Sequence, residues 1–250
     1  MKRVIICEGK TDAILISYFL IKSFGWIYTE KSVVGLPFDA GSEVLNWYQH
    51  PEKPDQELAI WGAGGINEIP AKLWHVIDRT KLETTSVNRF THIVVFFDRN
   101  NRSEAECRDL VGKWAIDSGV EITDDLHLGQ WSKARVALRK EPEEFHDLRV
   151  LSVALPPDSE GNLEIFLTNC IRNHSEYDSD LVDKAQGFIG SIPDEPYLGR
   201  ARYRPKACLG AILSVISPDW VFSELHKRLT LVKWEEIKSV EAVYEKLSEL

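Results

Sequence analysis

The stretch Ile93-Val94-Val95-Phe96-Phe97 constrains the fold more than any other. Five consecutive β-branched or aromatic apolar residues suit a strand covered on both faces, and such strands lie at the centre of parallel sheets. The run ends directly in Asp98. Near the start of the chain, Val4-Ile5-Ile6-Cys7 has the same character and ends in Glu8. Leu58-Ala59-Ile60-Trp61, followed by Gly62-Ala63-Gly64-Gly65, reads as another strand, and Val150 to Leu155, stopped by Pro156-Pro157, as a fourth. Helical stretches separate them. One covers about residues 12–24, capped by Thr11 or Asp12 and ended by Gly25; another covers about 67–77; a third runs from its cap Ser103 through Ala115. Strands alternating with helices predict an α/β domain, a mainly parallel sheet flanked by helices.

The pattern changes near residue 155. Residues 1–155 carry the sheet, with inserted segments near 25–56 and 121–147. The first insertion holds a short strand at Val33-Val34 and a polar loop from His50 to Gln56; the second is a charged excursion. Residues 156–250 form a mostly helical extension packed on the core, with helices at about 163–173, 178–190, 205–214, 219–228 and 239–248. The helix over 12–24 is apolar nearly all round, which predicts that it is largely buried. The opening residues start like a signal peptide, but Glu8-Gly9-Lys10-Thr11-Asp12 interrupts them too early. No apolar run approaches membrane-spanning length. Cys7, Cys107, Cys170 and Cys208 are widely separated. The expectation is a cytoplasmic protein with reduced thiols and no membrane contact.

In parallel sheets function gathers at the carboxyl ends of the strands. Here those ends carry Glu8, with Asp12 four residues on, and Asp98, with Asn100 two residues on. If the backbone stays extended through 98–100, the two side chains share a face. Carboxylates converging from separate strands repel unless a cation lies between them, and oxygen-only ligation favours Mg²⁺ or Mn²⁺ over zinc. Taken singly, each acid also suits a turn or a helix cap. Two tempting motifs fail. Gly9-Lys10-Thr11 lacks the first glycine of a phosphate-binding P-loop, because position 4 is Val4. Gly62-Ala63-Gly64-Gly65 lacks dinucleotide-binding spacing, because the sixth position is Asn67.

The ordered series Val4-Ile5-Ile6-Cys7-Glu8-Gly9-Lys10-Thr11-Asp12, then Gly64-Gly65, then Val94-Val95-Phe96-Phe97-Asp98-Arg99-Asn100 resembles the TOPRIM domain of topoisomerases, bacterial primases, small ribonucleases and OLD-type nucleases. The resemblance covers about residues 1–155. It implies a TOPRIM-like sheet and a metal-binding acidic cluster at Glu8, Asp12 and Asp98, with Glu8 a ligand or the general acid/base. It departs at Asn100, where the family usually has a second aspartate; the amide oxygen is a neutral, auxiliary ligand. Leu163-Glu164-Ile165-Phe166-Leu167 and Arg204-Pro205-Lys206-Ala207 are similar to later elements of OLD-type proteins. By that likeness Glu164 is a further ligand, and Lys206 neutralises charge on the transferring phosphoryl group. The implied activity is Mg²⁺-dependent hydrolysis of phosphodiester bonds in DNA or RNA. The implied setting is anti-phage defence with an ATPase on another polypeptide. The alternative is a non-catalytic TOPRIM-like module that binds nucleic acid, nucleotide or a protein partner.

The formal charge is −9, which argues against a protein coated in basic residues but not against a local basic groove. Arg200, Arg202, Arg204 and Lys206, interleaved with Tyr197 and Tyr203, form a candidate nucleic-acid-binding run. Lys133, Arg135, Arg139 and Lys140 beside Trp131 read rather as a solvated face. Glu235, Glu236, Glu241, Glu245 and Glu249 make the C-terminal end acidic. The expected charge map is an acidic pit with a basic rim and an acidic back.

Overall fold

The computed structural model describes residues 2–30, 36, 42–220, 229 and 232–250. Strand β1 (Lys2–Cys7) lies between β4 (Lys53–Gly62) and β5 (Phe90–Asp98), parallel to both, so that Ile5 faces Ile60 on one side and Val94 on the other. β8 (Phe145–Leu155) adds a further parallel strand, pairing Leu151 with Val94. Both flanks are antiparallel. β3 (Val44–His50) pairs with β4, and β2 (Ile27–Thr29) with β3. On the other side β7 (Trp131–Ala137) pairs with β8, and β6 (Glu121–Ile122) with β7. The sheet order is β2-β3-β4-β1-β5-β8-β7-β6. This is the expected α/β fold, with its parallel order confined to the four central strands.

The two segments read as insertions are the wings of the sheet. His50–Gln56, expected as a loop, is instead a hairpin in which Lys53 already pairs with His50 across Pro51-Glu52. β7 was hidden because its inward positions are Ser132, Ala134 and Val136 and its outward ones Lys133 and Arg135; small inward residues blur the alternation of a one-sided strand. The predicted strand at Val33-Val34 and most of the predicted helix over 219–228 lie outside the described residues.

Successive residues of β1 point to opposite sides, and both sides are dry. Val4 and Ile6 pack with α2 (Ile69–Leu82) and α3 (Glu104–Ser118). Ile5 and Cys7 pack with α1 (Lys10–Lys22), α4 (Leu163–Arg172), α5 (Glu176–Ser191), α6 (Tyr203–Ile216) and α7 (Lys238–Tyr244). The C-terminal helices therefore complete one face of the same core. Ser103 caps α3 as expected, exchanging hydrogen bonds with Glu106, and Gly119 at φ +74° ends it. α1 departs from expectation. It starts at Lys10, and Ile14, Tyr18 and Ile21 are left partly or largely exposed, Ile21 at 50%. Among the described residues all four cysteines are free and buried, and no helix is long and apolar enough to cross a membrane.

Tyr244 ties the layers together. Its ring stacks on Phe19 of α1 at 4.6 Å and on Phe96 of β5 at 5.5 Å. The side chain is fully buried and its hydroxyl has no hydrogen-bond partner. Tyr244→Ala should cost about 3–5 kcal/mol, as for other buried aromatic truncations. Tyr244→Phe should be neutral or stabilising, because it removes an unsatisfied polar group and keeps the ring. Urea denaturation followed by circular dichroism measures both.

Candidate functional site

Chain reversal after each central strand brings helix starts and glycine loops to the carboxyl edge of the sheet. A cavity of about 290 Å³ opens there. Of the residues singled out from sequence, Glu8, Asp12, Asp98, Asn100, Glu164, Arg202 and Lys206 all line it; Arg200 and Arg204 do not.

Glu8 follows the last residue of β1. The loop after β4 folds around it, and the N–H groups of Gly64 and Gly65 donate to the Glu8 carbonyl at 3.0 and 2.8 Å. That wrap requires φ of +86° and +130°, values glycine adopts readily. Gly9, not Thr11 or Asp12, is the cap residue of α1; Asp12 lies one turn in and accepts the Gly9 N–H on Oδ2 at 3.0 Å. The Asp98 N–H donates to Glu8 Oε2 at 3.1 Å, which joins the ends of β1 and β5. Asp98 Oδ1 accepts the N–H of Leu163, the first residue of α4, at 2.8 Å. One turn into α6, Lys206 Nζ lies 3.4 Å from Glu164 Oε1.

Asn100 is not extended. At φ +55° it is the one described non-glycine residue with positive φ. Its N–H and carbonyl exchange hydrogen bonds with Gly161 at 2.5 and 2.6 Å, and its Nδ2 donates to the Asp98 carbonyl at 3.3 Å. Asparagine tolerates this left-handed conformation better than most residues. The backbone thus gives a local reason for asparagine at this position, and the condition for a face shared by Asp98 and Asn100, an extended backbone through 98–100, is not met.

The carboxylates are electrostatically crowded. Burial, then the charges of Asp12 and Glu8, push Asp98 up to about 8. Burial, then Glu8, pushes Asp12 up to about 7. Glu8 is raised by burial, against the lowering effect of the Asp98 N–H and Arg102. Asp12 Oδ1 is buried with no partner. Among the described residues, no three histidine, cysteine, aspartate or glutamate side chains are grouped closely enough to hold a metal ion as they stand. Each carboxylate is instead held by a donor of its own. The oxygen-only donor set, the orphaned Asp12 oxygen and the mutual repulsion nonetheless suit a hard divalent cation.

The basic run divides by contact. Arg204 is taken up by the end of α5, donating to the Ile189 and Ile192 carbonyls and to Asp194 at 2.7–3.0 Å. Arg200 and Arg202 lie over the Tyr203 ring at 5.6 and 5.5 Å. In the other basic cluster, Arg135 pairs with Glu121 and Arg139 with Asp78. Glu249 pairs with Arg149, toward the end of β8 away from the cleft. Glu43 also lines the cleft, its Oε2 accepting the Lys10 N–H at 2.8 Å. Sequence reading missed it because it precedes a strand instead of following one; its position directly before Val44-Leu45 was the available signal.

Fold and cleft together define an α/β protein with a polar site at the carboxyl ends of a parallel-centred sheet. The chain belongs to the DUF3226 family, described as proteins of unknown function, whose model matches residues 2–225. Hypothetical protein PH0156 from Pyrococcus horikoshii OT3 is similar in structure, with a TM-score of 0.51 and 17% identity over 98% of this chain and 99% of that one. That likeness is one of fold. A mutant NFeoB from S. thermophilus bound to GDP covers 100% of this chain and 90% of its own at 10% identity, with a TM-score of 0.24, too low to bear on the fold or the site. No curated protein matches.

The raised carboxyls set a pH dependence. An unfolded aspartate titrates near 3.9, whereas Asp12 and Asp98 titrate at about 7 and about 8 in the fold. Between those limits the native state binds more protons than the unfolded one, so this stability is fully present below about 4 and is lost as pH rises toward 8. In EDTA the melting temperature should therefore fall from pH 5 to pH 8. Asp98→Asn should flatten that slope and raise the melting temperature at pH 8 by several degrees, read by circular dichroism. Arg204→Ala should lower stability by about 1–3 kcal/mol, because it strands carbonyl acceptors at the end of α5; a denaturant titration checks this.

Proposed function

We propose that this protein is a Mg²⁺- or Mn²⁺-dependent TOPRIM-like nuclease that hydrolyses phosphodiester bonds in DNA or RNA. The observation that carries the reading is the cleft itself, where Glu8, Asp12, Asp98 and Glu164, arriving from separate strand ends and helix starts, stand with Arg202 and Lys206. The four carboxylates would hold the ion, with the Asn100 amide oxygen as an auxiliary donor. When bound, a divalent ion supplies Lewis-acid polarisation of the phosphate and a water of lowered pKa.

The chain's own groups account for the rest. Lys206 and Arg202 bind and orient the phosphate and offset its growing negative charge. The starts of α1, α4 and α6 bring their N–H groups to the same edge, where helix ends favour anions. Glu8 Oε2 is occupied by the Asp98 N–H, so where Asp12, Asp98 and Glu164 hold the ion without it, Glu8 Oε1 is left to take up or release a proton. Burial raises this carboxyl toward the working range of a general acid/base.

One observation favours the second reading, a non-catalytic module that binds nucleic acid, nucleotide or a protein partner. Asn100 brings no charge, and its Nδ2 is turned onto the Asp98 carbonyl. A setting in anti-phage defence with a separate ATPase follows from the TOPRIM-like reading alone.

Purified protein with Mn²⁺ should cut a labelled single strand or duplex. Glu8→Ala should reduce the rate by at least about 10²-fold, and Lys206→Ala by a similar factor. Mn²⁺ should also raise the melting temperature of the wild type and leave that of Asp98→Asn nearly unchanged. Binding of nucleic acid with no cleavage in either metal would select the second reading.

A further inference from the structure

A second cavity, of about 310 Å³, lies at the carboxyl end of β8 and shares no lining residue with the acidic cleft. Arg99 lines it, whereas Asp98 and Asn100 on either side line the cleft, so the turn at 98–100 stands between the two. The arginine is only 7% exposed. Its Nε is buried without a hydrogen-bond partner, and its guanidinium meets the Cys107 thiol, a weak acceptor. Among the described residues no carboxylate pairs with it. A guanidinium cannot shed its proton to escape burial, so this charge is left without compensation.

Three more charged side chains line the same space. Lys246, just beyond α7, donates to the Ala242 carbonyl at 3.2 Å and pairs with no acid among the described residues. Glu104, the first residue of α3, and Asp158, in the loop after β8, are exposed. Neither acid has an ion-pair or hydrogen-bond partner for its side chain among the described residues. One cavity thus holds two cations and two acids apart from one another, with apolar wall from Leu128, Val153 and Val243. An anion alone would satisfy Arg99 but meet the acids. A cation alone would satisfy the acids and leave Arg99 unpaired. A small molecule that carries a carboxylate and an ammonium satisfies all four. Because the buried charge is the cation and the exposed charges are the acids, its carboxylate points inward.

We propose that this cavity binds a free α-amino acid with an aliphatic side chain. The carboxylate meets Arg99 and Lys246, the ammonium meets Glu104 and Asp158, and the side chain lies against Leu128, Val153 and Val243. The volume is at the small end of ligand sites, about 300–1,000 Å³, which suits a ligand of this size. This binding does not rest on the nuclease reading.

Isothermal titration calorimetry of the full chain with L-leucine, L-isoleucine and L-valine, in EDTA, tests it. At least one should bind with a Kd of about 1 mM or below. Its deaminated acid, its decarboxylated amine and inorganic phosphate should each bind at least about tenfold more weakly. Glu104→Gln, Asp158→Asn and Lys246→Gln should each weaken the amino acid about tenfold, and Arg99→Gln at least as much. Melting curves establish that the variants fold; if Arg99→Gln does not, the other three decide. The proposal is overturned if none of the three amino acids binds at about 10 mM. Unchanged affinity in the folded variants overturns it too, as does equally tight binding of the deaminated acid or of phosphate. Binding lost in Lys206→Ala but kept in Glu104→Gln would belong to the cleft and also overturn it. Cleavage of nucleic acid is measured separately, so either reading can fail while the other stands.

Discussion

Burial of β1 and β5 on both faces is the constraint on which the rest depends. Val4 and Ile6 need one layer of helices, Ile5 and Cys7 another. The chain supplies the first from α2 and α3 and the second largely from its C-terminal part, so the helical extension is a structural necessity for the sheet. With both faces covered, polar chemistry is left to the strand ends. There the chain reverses, and helix starts present N–H groups that no intrahelical carbonyl can satisfy.

Those N–H groups explain how like charges are tolerated in one place. The Asp98 N–H holds Glu8, the Gly9 N–H holds Asp12, and the Leu163 N–H holds Asp98. Backbone donors fix the carboxylates without neutralising them, so burial, and after it the repulsion, persists as raised protonation of Asp12 and Asp98. Among the described residues, Lys206 meets one of the acids directly, at Glu164. The expected basic rim thus narrows to Arg202 and Lys206, because Arg204 serves α5.

The sequence made the centre legible and the periphery obscure, for physical reasons. Runs such as Ile93–Phe97 are unambiguous because both faces demand apolar residues, and Ser103 with Glu106 announces a helix start through a hydrogen-bonded box. The flanking strands β3 and β7 mix polar and apolar residues, and so they read as insertions. Acids at strand ends were visible by position, but the turn at Asn100 was not, since a single left-handed residue leaves no periodic trace. The exposure of Ile14, Tyr18 and Ile21 was equally hidden, because composition says that a helix is apolar, not whether each side finds a partner.

The parallel pairing that builds the cleft also fixes when it is built. Joining Ile5 to Val94, and Val94 to Leu151, closes long stretches of chain before any contact rewards the closure. Such topology makes for slow folding. Glu8, Asp98 and Glu164 are strangers in the denatured chain and meet only when these closures are complete. Their repulsion weighs on the finished molecule far more than on the search for it. Its kinetic expression is therefore faster opening of the native state, with the rate of assembly set by topology.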